Sequence, residues 1–245
     1  MVVSVRALVI ATAFLPAAFL PAGLAGADSA ARLAGHWEGA IHAPLEDVTI
    51  AVDIAADAAG TLGGTFTSAS QKLNGFPLWS ASNDGETVKL ELKLADPGVR
   101  TFDGRLSSDG ETITGQFLID VHAVPFTLKR NGEARIAPPP RSAAIDAELA
   151  GSWSASMTVG TLSLPLRLTL TNHGDKTATG AWAAGGAPAT PVAIATQGGT
   201  LTLTSLVVPA TFTGTLSADG TQIVGSLLEG ATPRPVVFTR AAGGG

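Results

Sequence analysis

The sequence predicts an all-β protein built of two tandem small antiparallel up-and-down β-barrels of about eight strands each, each preceded by a short helical turn. Two observations predict this fold. A hairpin sequence at 102–115 occurs again at 212–225, and short runs of alternating apolar and polar residues are separated by turn residues about every 8 to 12 positions. The chain is therefore an internal duplication.

The repeated hairpin consists of two alternating runs joined by a Ser-x-Asp-Gly turn. In the first copy Phe102, Gly104 and Leu106 alternate with polar residues before the turn. Glycine adopts a positive φ without steric cost, and Asp can hydrogen-bond the local backbone. We therefore expect Gly110 and Gly220 to have positive φ.

The remaining elements repeat in the same order. The motif Leu-Ala-Gly-x-Trp opens both copies, ending at Trp37 and Trp153. Residues 28–33 can make about one helical turn before the first of these motifs. Runs with a period of two, typical of half-buried strands, follow at 48–54, 62–66, 88–94 and 124–130, and again at 162–170, 180–182, 201–203 and 235–240. Glycines recurring inside the strands favour a tightly bent barrel over a flat sandwich.

The N-terminal residues 1–27 have the pattern of a secretory signal peptide. Arg6 precedes an apolar run at 7–20, and Ala25 and Ala27 give a small-x-small cleavage site. The run is shorter than a membrane span and contains Pro16. We therefore expect cleavage after Ala27, a periplasmic or secreted protein, and no membrane span in the mature chain.

The remaining chain divides into four parts. These are a first barrel at 28–130, a Pro-rich linker with a short helical turn at 131–148, a second barrel at 149–240 and a disordered tail at 241–245. The prolines 138–140 should stiffen the linker into a spacer. The chain contains no Cys, so core burial alone must hold each barrel together.

Charge is spread unevenly over the duplication. The chain after residue 27 has 14 basic and 20 acidic residues, which makes nucleic acid an unsuitable partner. Residues 33–130 have 13 acidic and 7 basic groups, whereas 149–240 have 3 acidic and 4 basic groups. We interpret the difference as surface divergence after duplication, because net charge affects solubility before function.

Four motifs together carry a resemblance to a known module. They are Leu-Ala-Gly-x-Trp, Gly-x-Phe/Trp, Phe-x-Gly-x-Leu-Ser-x-Asp-Gly-x-x-Ile-x-Gly and a closing Pro-x-x-Leu/Phe-x-Arg. The chain resembles tandem copies of the calycin-like (lipocalin/avidin-like) β-rich module that accompanies exported bacterial α/β-hydrolase and serine-hydrolase domains. The resemblance implies an accessory barrel outside the cytoplasm. It does not imply catalysis, because the Gly-x-Ser-x-Gly elbow of the hydrolase domain is absent from the sequence.

Polar side chains offer weak candidates for a metal or catalytic site. His36, Glu38 and His42 share one strand face, but the two histidines are about 20 Å apart along a regular strand. We therefore expect a solvated face, and neither a metal nor a cofactor. The pair Glu46-Asp47 is expected in a solvated loop. Nothing specifies a Ser-His-acid triad, and we predict that the protein is not an enzyme.

Aromatic residues are the better candidates for binding a ligand or partner. Trp37 and Trp153 occupy matching positions, so we interpret them first as plugs of the barrel floors and only second as ligand contacts. Phe76 and Trp79 lie in a segment that is three residues longer in the first copy. We predict that a ligand or partner contacts the first barrel through these two residues, with core packing of Trp79 as the alternative.

The functional prediction is a non-catalytic exported binding or interaction module. The alternatives are a lipocalin-like carrier of a small apolar ligand and an accessory subunit of a separate hydrolase, so the partner is a small apolar molecule or a protein. The second copy has two Phe residues, Phe212 and Phe238. Its aliphatic interior fits a filled core and an apolar cavity equally well, and the sequence leaves the oligomeric state open.

Overall fold

The computed structural model describes residues 29–94 and 98–241, which form an all-β structure. The predicted signal peptide and residues 242–245 of the predicted tail lie outside the described residues. The strands of the first copy are β1 (Gly35–His42), β2 (Asp47–Ala56), β3 (Leu62–Ser68), β4 (Leu73–Pro77), β5 (Ser80–Asp84), β6 (Thr87–Leu92), β7 (Arg100–Leu106), β8 (Thr112–Ile119) and β9 (His122–Arg130). The others are β10 (Ser142–Ala143), β11 (Gly151–Val159), β12 (Leu162–Asn172), β13 (Thr177–Ala184), β14 (Thr190–Gln197), β15 (Thr200–Ser205), β16 (Ala210–Leu216), β17 (Gln222–Glu229) and β18 (Thr232–Arg240).

Each copy forms one nine-stranded antiparallel sheet. The strand order is β4-β3-β2-β1-β9-β8-β7-β6-β5 in the first sheet and β10-β13-β12-β11-β18-β17-β16-β15-β14 in the second. In the second sheet β13 also pairs with β14, with Gly180 opposite Val192 and Trp182 opposite Thr190. This pairing closes β11 to β18 into an eight-stranded barrel.

The first sheet is a half-barrel, so the prediction of two closed barrels is correct only for the second copy. The strand is interrupted at Leu78-Trp79, between β4 and β5. Leu78 N–H donates to the Gly64 carbonyl at one end of the sheet (2.9 Å), and Trp79 N–H donates to the Glu91 carbonyl at the other (2.7 Å). In the second copy, the corresponding strand β14 is continuous. In the first copy, a bulge between Phe66 and Ser68 also disturbs the β3–β4 pairing. The extra residues of the first copy therefore interrupt the ladder that would close it.

The floor of each copy is a Trp residue under an Arg side chain. The Arg130 guanidinium lies 4.3 Å from the centre of the Trp37 ring, and that of Arg240 lies 4.2 Å from Trp153. Each indole N–H donates to a backbone carbonyl four residues earlier, at 3.0 Å and 2.9 Å. Both Arg side chains also donate to the carbonyl of the turn glycine, Gly110 or Gly220. These glycines have the predicted positive φ, at 75° and 69°.

Glycine pairs bring neighbouring strands together in both sheets. Gly104 lies opposite Gly115, and Gly214 lies opposite Gly225. A Cβ atom added to Gly115 would lie 2.1 Å from the Asp103 carbonyl oxygen, and one added to Gly225 would lie 2.2 Å from that of Thr213. No side chain fits at such distances, so the glycines predicted at the bends are sterically required.

The linker is attached to both copies at its ends. Asn131 N–H donates to the His36 carbonyl (2.7 Å), and His36 N–H donates to the Gly132 carbonyl (2.8 Å). At the other end β10 pairs with β13. Its first residues therefore pack as part of the first copy.

Two further local features complete the description. Residues 29–33 form one helical turn, whereas residues 147–149 form a non-helical turn, so the helical turn predicted before the second copy is absent from the described structure. No helix in the described ranges is long and apolar enough to cross a membrane.

Candidate functional site

A cavity of about 500 Å³ opens at the end of the second barrel that faces the first copy. Its volume lies within the range of small-molecule sites, about 300 to 1,000 Å³. Most of its lining comes from the second copy and is apolar, including Met157, Leu166, Trp182, Phe212, Leu227, Val236 and Phe238.

Two residues that line the cavity, Leu227 and Val236, are smaller than the aromatic residues at the matching positions of the first copy. In the first copy Phe102 packs on Phe117, with ring centroids 4.4 Å apart, and on Phe126 at 5.0 Å. Phe212 occupies the position of Phe102, but its cross-strand neighbour is Leu227, in place of Phe117. Val236 likewise lies opposite Gly225, where Phe126 lies opposite Gly115. The smaller side chains leave space that the first copy fills.

The first copy contributes one wall of this cavity. Leu73 and Phe76 of β4, together with Leu94, line it. Asn74 holds the β3–β4 hairpin (residues 62–77) against the second copy, since its backbone N–H donates to the Val207 carbonyl (2.8 Å) and its amide to the Leu206 carbonyl (3.3 Å). The site is therefore shared between the two copies.

The contact between the copies is reciprocal. Val207 follows β15 and is buried in the core of the first copy. The corresponding residue after β6 is Leu94, which lines the cavity of the second copy. Val208 packs against both cores. The open ends of the two sheets thus face each other, as in an isologous interface.

Polar side chains gather where the cavity reaches the surface. Gln71, Lys72 and Glu229 are exposed and line the opening, together with Gly230. Lys72 has a φ of 56°, which is uncommon for a residue with a side chain. Deeper in the cavity, the buried Thr190 donates its hydroxyl to the Trp182 carbonyl (3.4 Å). The opening is therefore charged and the interior is apolar.

The residues predicted to bind a ligand have different environments. Phe76 lines the cavity, although that cavity belongs mainly to the second copy rather than the first. Trp79 does not line it; this side chain is 50 % exposed, with the Lys93 ammonium 4.4 Å from its ring centre. Trp37 and Trp153 are buried in the floors and do not line the cavity.

His36 is buried, in contrast to the solvated face predicted for it, because the start of the linker covers it. Its Nδ1 lies 2.7 Å from an Asp53 carboxylate oxygen, and its Nε2 lies 2.9 Å from one of Glu38. Asp53 also accepts from the backbone N–H of Arg135 (2.7 Å). Burial opposes the charged imidazole, but the hydrogen bonds to Glu38 and Asp53 outweigh it and raise the pKa of His36 above its ordinary value.

The other polar candidates remain separate. His42 contacts Asp47 at 3.0 Å on the exposed face of the first copy. Glu46 is exposed, as predicted for a loop. Within residues 29–94 and 98–241, no three His, Asp or Glu side chains are arranged to hold a metal ion.

Comparison with known proteins gives no family. No family model and no curated protein matches the chain, so the resemblance to the calycin-like module is not confirmed. Two crystal structures are weakly similar. One is "a putative outer membrane protein" from Bacteroides fragilis, with 16 % identity over 86 % of this chain and 97 % of that chain and a TM-score of 0.29. The other is a protein of unknown function of the DUF3598 family from Nostoc punctiforme, with 11 % identity, 88 % and 99 % coverage and a TM-score of 0.24. At these scores neither likeness bears on function.

Sequence reasoning missed the lining residues of the second copy. The signal was present, because aligning the repeated hairpins places Leu227 at the position of Phe117 and Val236 at that of Phe126. The predicted binding surface was Phe76 with Trp79 of the first copy. In the structure Phe76 lines the cavity, whereas Phe102, Phe117 and Phe126 pack in the first core.

Proposed function

We propose that this protein is a non-catalytic exported binding protein that holds a small apolar ligand in the second barrel. The single observation behind the proposal is the largely apolar cavity of about 500 Å³ at the end of the second copy that faces the first. Burial of apolar ligand surface in such a cavity is favourable by about 25 cal/mol per Å². Export rests on the signal-peptide pattern of residues 1–27.

The chain itself suggests how to fill the cavity. The double substitution Leu227→Phe with Val236→Phe gives the second copy the rings that the first copy has at these positions. We expect the variant to fold and to lose binding of the fluorescent apolar probe N-phenyl-1-naphthylamine, because the added rings occupy the ligand's space. Fluorescence titration measures the binding, and circular dichroism with a thermal melt checks the fold.

A matched control adds the same bulk outside the barrel. Val224 and Val237 are paired on the same two strands, β17 and β18, and are 47 % and 43 % exposed. The variant Val224→Phe with Val237→Phe should bind the probe as the unmodified protein does. If the unmodified protein does not bind the probe, or the filled variant binds it equally well, the proposal is wrong.

A further inference from the structure

The interior of the cavity favours the hydrocarbon part of a ligand over its polar part. Away from the opening, the described lining residues are apolar except for Thr190, whose hydroxyl already donates to the Trp182 carbonyl. A polar group buried without a hydrogen-bond partner costs several kcal/mol on transfer from water, about 2 to 7 depending on the reference. The enclosed part of a ligand therefore contains no polar atom.

The opening carries one charge of each sign. Lys72 comes from the first copy and Glu229 from the second, and both line the cavity. Neither side chain forms an ion pair with another residue in the described part of the chain. By comparison, Lys89 and Glu91 on the outer face of β6 are only 2.9 Å apart. The two rim charges are thus available to a ligand.

We propose that the ligand is a single-chain amphiphile with a zwitterionic head. This inference rests on the proposed function and deepens it. The hydrocarbon chain lies in the cavity against Leu164, Trp182 and Leu227. The head stays at the opening, with its anionic group beside Lys72 and its cationic group beside Glu229.

The pair of rim charges distinguishes this head from the simpler ones. A head with only a negative charge is attracted by Lys72 but repelled by Glu229. A head with only a positive charge is attracted by Glu229 but repelled by Lys72. A zwitterionic head gains from both side chains. Exposed ion pairs are weak, so each contact should change affinity about two- to fivefold.

The experiment compares three probes that each have a straight twelve-carbon chain. They are dodecylphosphocholine, dodecanoate and dodecyltrimethylammonium, each used below its micelle concentration to displace N-phenyl-1-naphthylamine. We expect the phosphocholine probe to bind most tightly to the unmodified protein. Glu229→Gln should raise the relative affinity for dodecanoate, and Lys72→Gln should raise it for dodecyltrimethylammonium. Lys129→Gln, on the outer face of β9, is the control and should leave the order unchanged.

The outcomes separate this inference from the proposed function. One outcome is that all three probes bind in an order of affinity that neither Lys72→Gln nor Glu229→Gln alters. That result overturns the zwitterionic head but still agrees with an apolar ligand site in the cavity. Tightest binding of dodecanoate or dodecyltrimethylammonium by the unmodified protein also overturns it. Failure of every probe to bind overturns the proposed function as well. Higher salt should weaken the preference among heads while leaving the contribution of the chain intact.

Discussion

At the scale of single residues, Trp79 is a large apolar side chain that lies outside the core. Its ring is half-exposed, with the Lys93 ammonium 4.4 Å from its centre. We expect Trp79→Ala to cost about 1 to 2 kcal/mol, from partial burial and one exposed cation–π contact. A thermal melt should show a shift of a few degrees, and probe binding should not change because Trp79 does not line the cavity. A loss of about 3 to 5 kcal/mol would instead identify Trp79 as a core residue.

His36 gives the stability of the first copy a pH dependence with a definite sign. Carboxylates only accept hydrogen bonds, so both ring nitrogens donate to Asp53 and Glu38 only when the imidazole is doubly protonated. The pKa of His36 is therefore raised in the folded state. A raised folded pKa stabilises the protein below the ordinary value of 6.5, and this contribution is lost as pH rises through the folded pKa.

The corresponding prediction concerns the slope of stability as pH rises above 6.5, the ordinary pKa of His. The free energy of unfolding should fall over this range in the unmodified protein and fall less in His36→Gln. Chemical denaturation at several pH values measures the slope. His122→Gln is the control, because it removes a histidine that is exposed rather than buried. Equal slopes in His36→Gln and the unmodified protein would show that the Asp53–His36–Glu38 contacts do not favour the charged imidazole.

At the scale of strands, the same hairpin supports a filled core in one copy and a cavity in the other. Phe117 is 3 % exposed and packs on Phe102. Phe117→Leu should therefore lower the free energy of unfolding by about 1 to 2 kcal/mol, through lost contacts and the space left behind. Leu227→Phe should cost less than this or be stabilising, because the space for its ring already exists. Urea denaturation of the two variants tests the difference, and an equal loss would mean that the second core is already full.

The sequence predicts the strands better than it predicts the site. Alternation and the repeated Asp-Gly turns indicated the strands and the positive φ at Gly110 and Gly220, because these depend on local chemistry. The break at Leu78-Trp79 depends on which strand edges meet across the sheet, which local patterns do not encode. The cavity depends on the summed volume of side chains from distant strands. Leu227 and Val236 therefore indicate a cavity only when they are compared with Phe117 and Phe126 of the first copy.

At the scale of the whole molecule, the two copies differ in their interiors and in how their sheets close. The first copy is filled with aromatic rings and supplies Leu73, Phe76 and Leu94 as a wall. The second copy is closed by its hydrogen-bond ladder and holds the cavity. The β3–β4 hairpin, which Asn74 ties to the second copy, forms one wall of the cavity. We therefore expect the contact between the copies to influence access to the site.

Fixing that contact should slow exchange of the ligand. The chain has no native Cys, so Asn74→Cys with Leu206→Cys introduces the only thiols, at positions where the Asn74 amide already reaches the Leu206 carbonyl (3.3 Å). We expect the oxidised variant to release N-phenyl-1-naphthylamine at least several-fold more slowly than the same variant after reduction, because the hairpin can no longer move away from the second copy. Stopped-flow fluorescence measures the rate, and mass spectrometry verifies the disulfide. Each single Cys variant controls for loss of the Asn74 hydrogen bonds. Equal release rates in the oxidised and reduced forms would show that the ligand passes only through the opening at Lys72 and Glu229, and that the hairpin is a fixed wall.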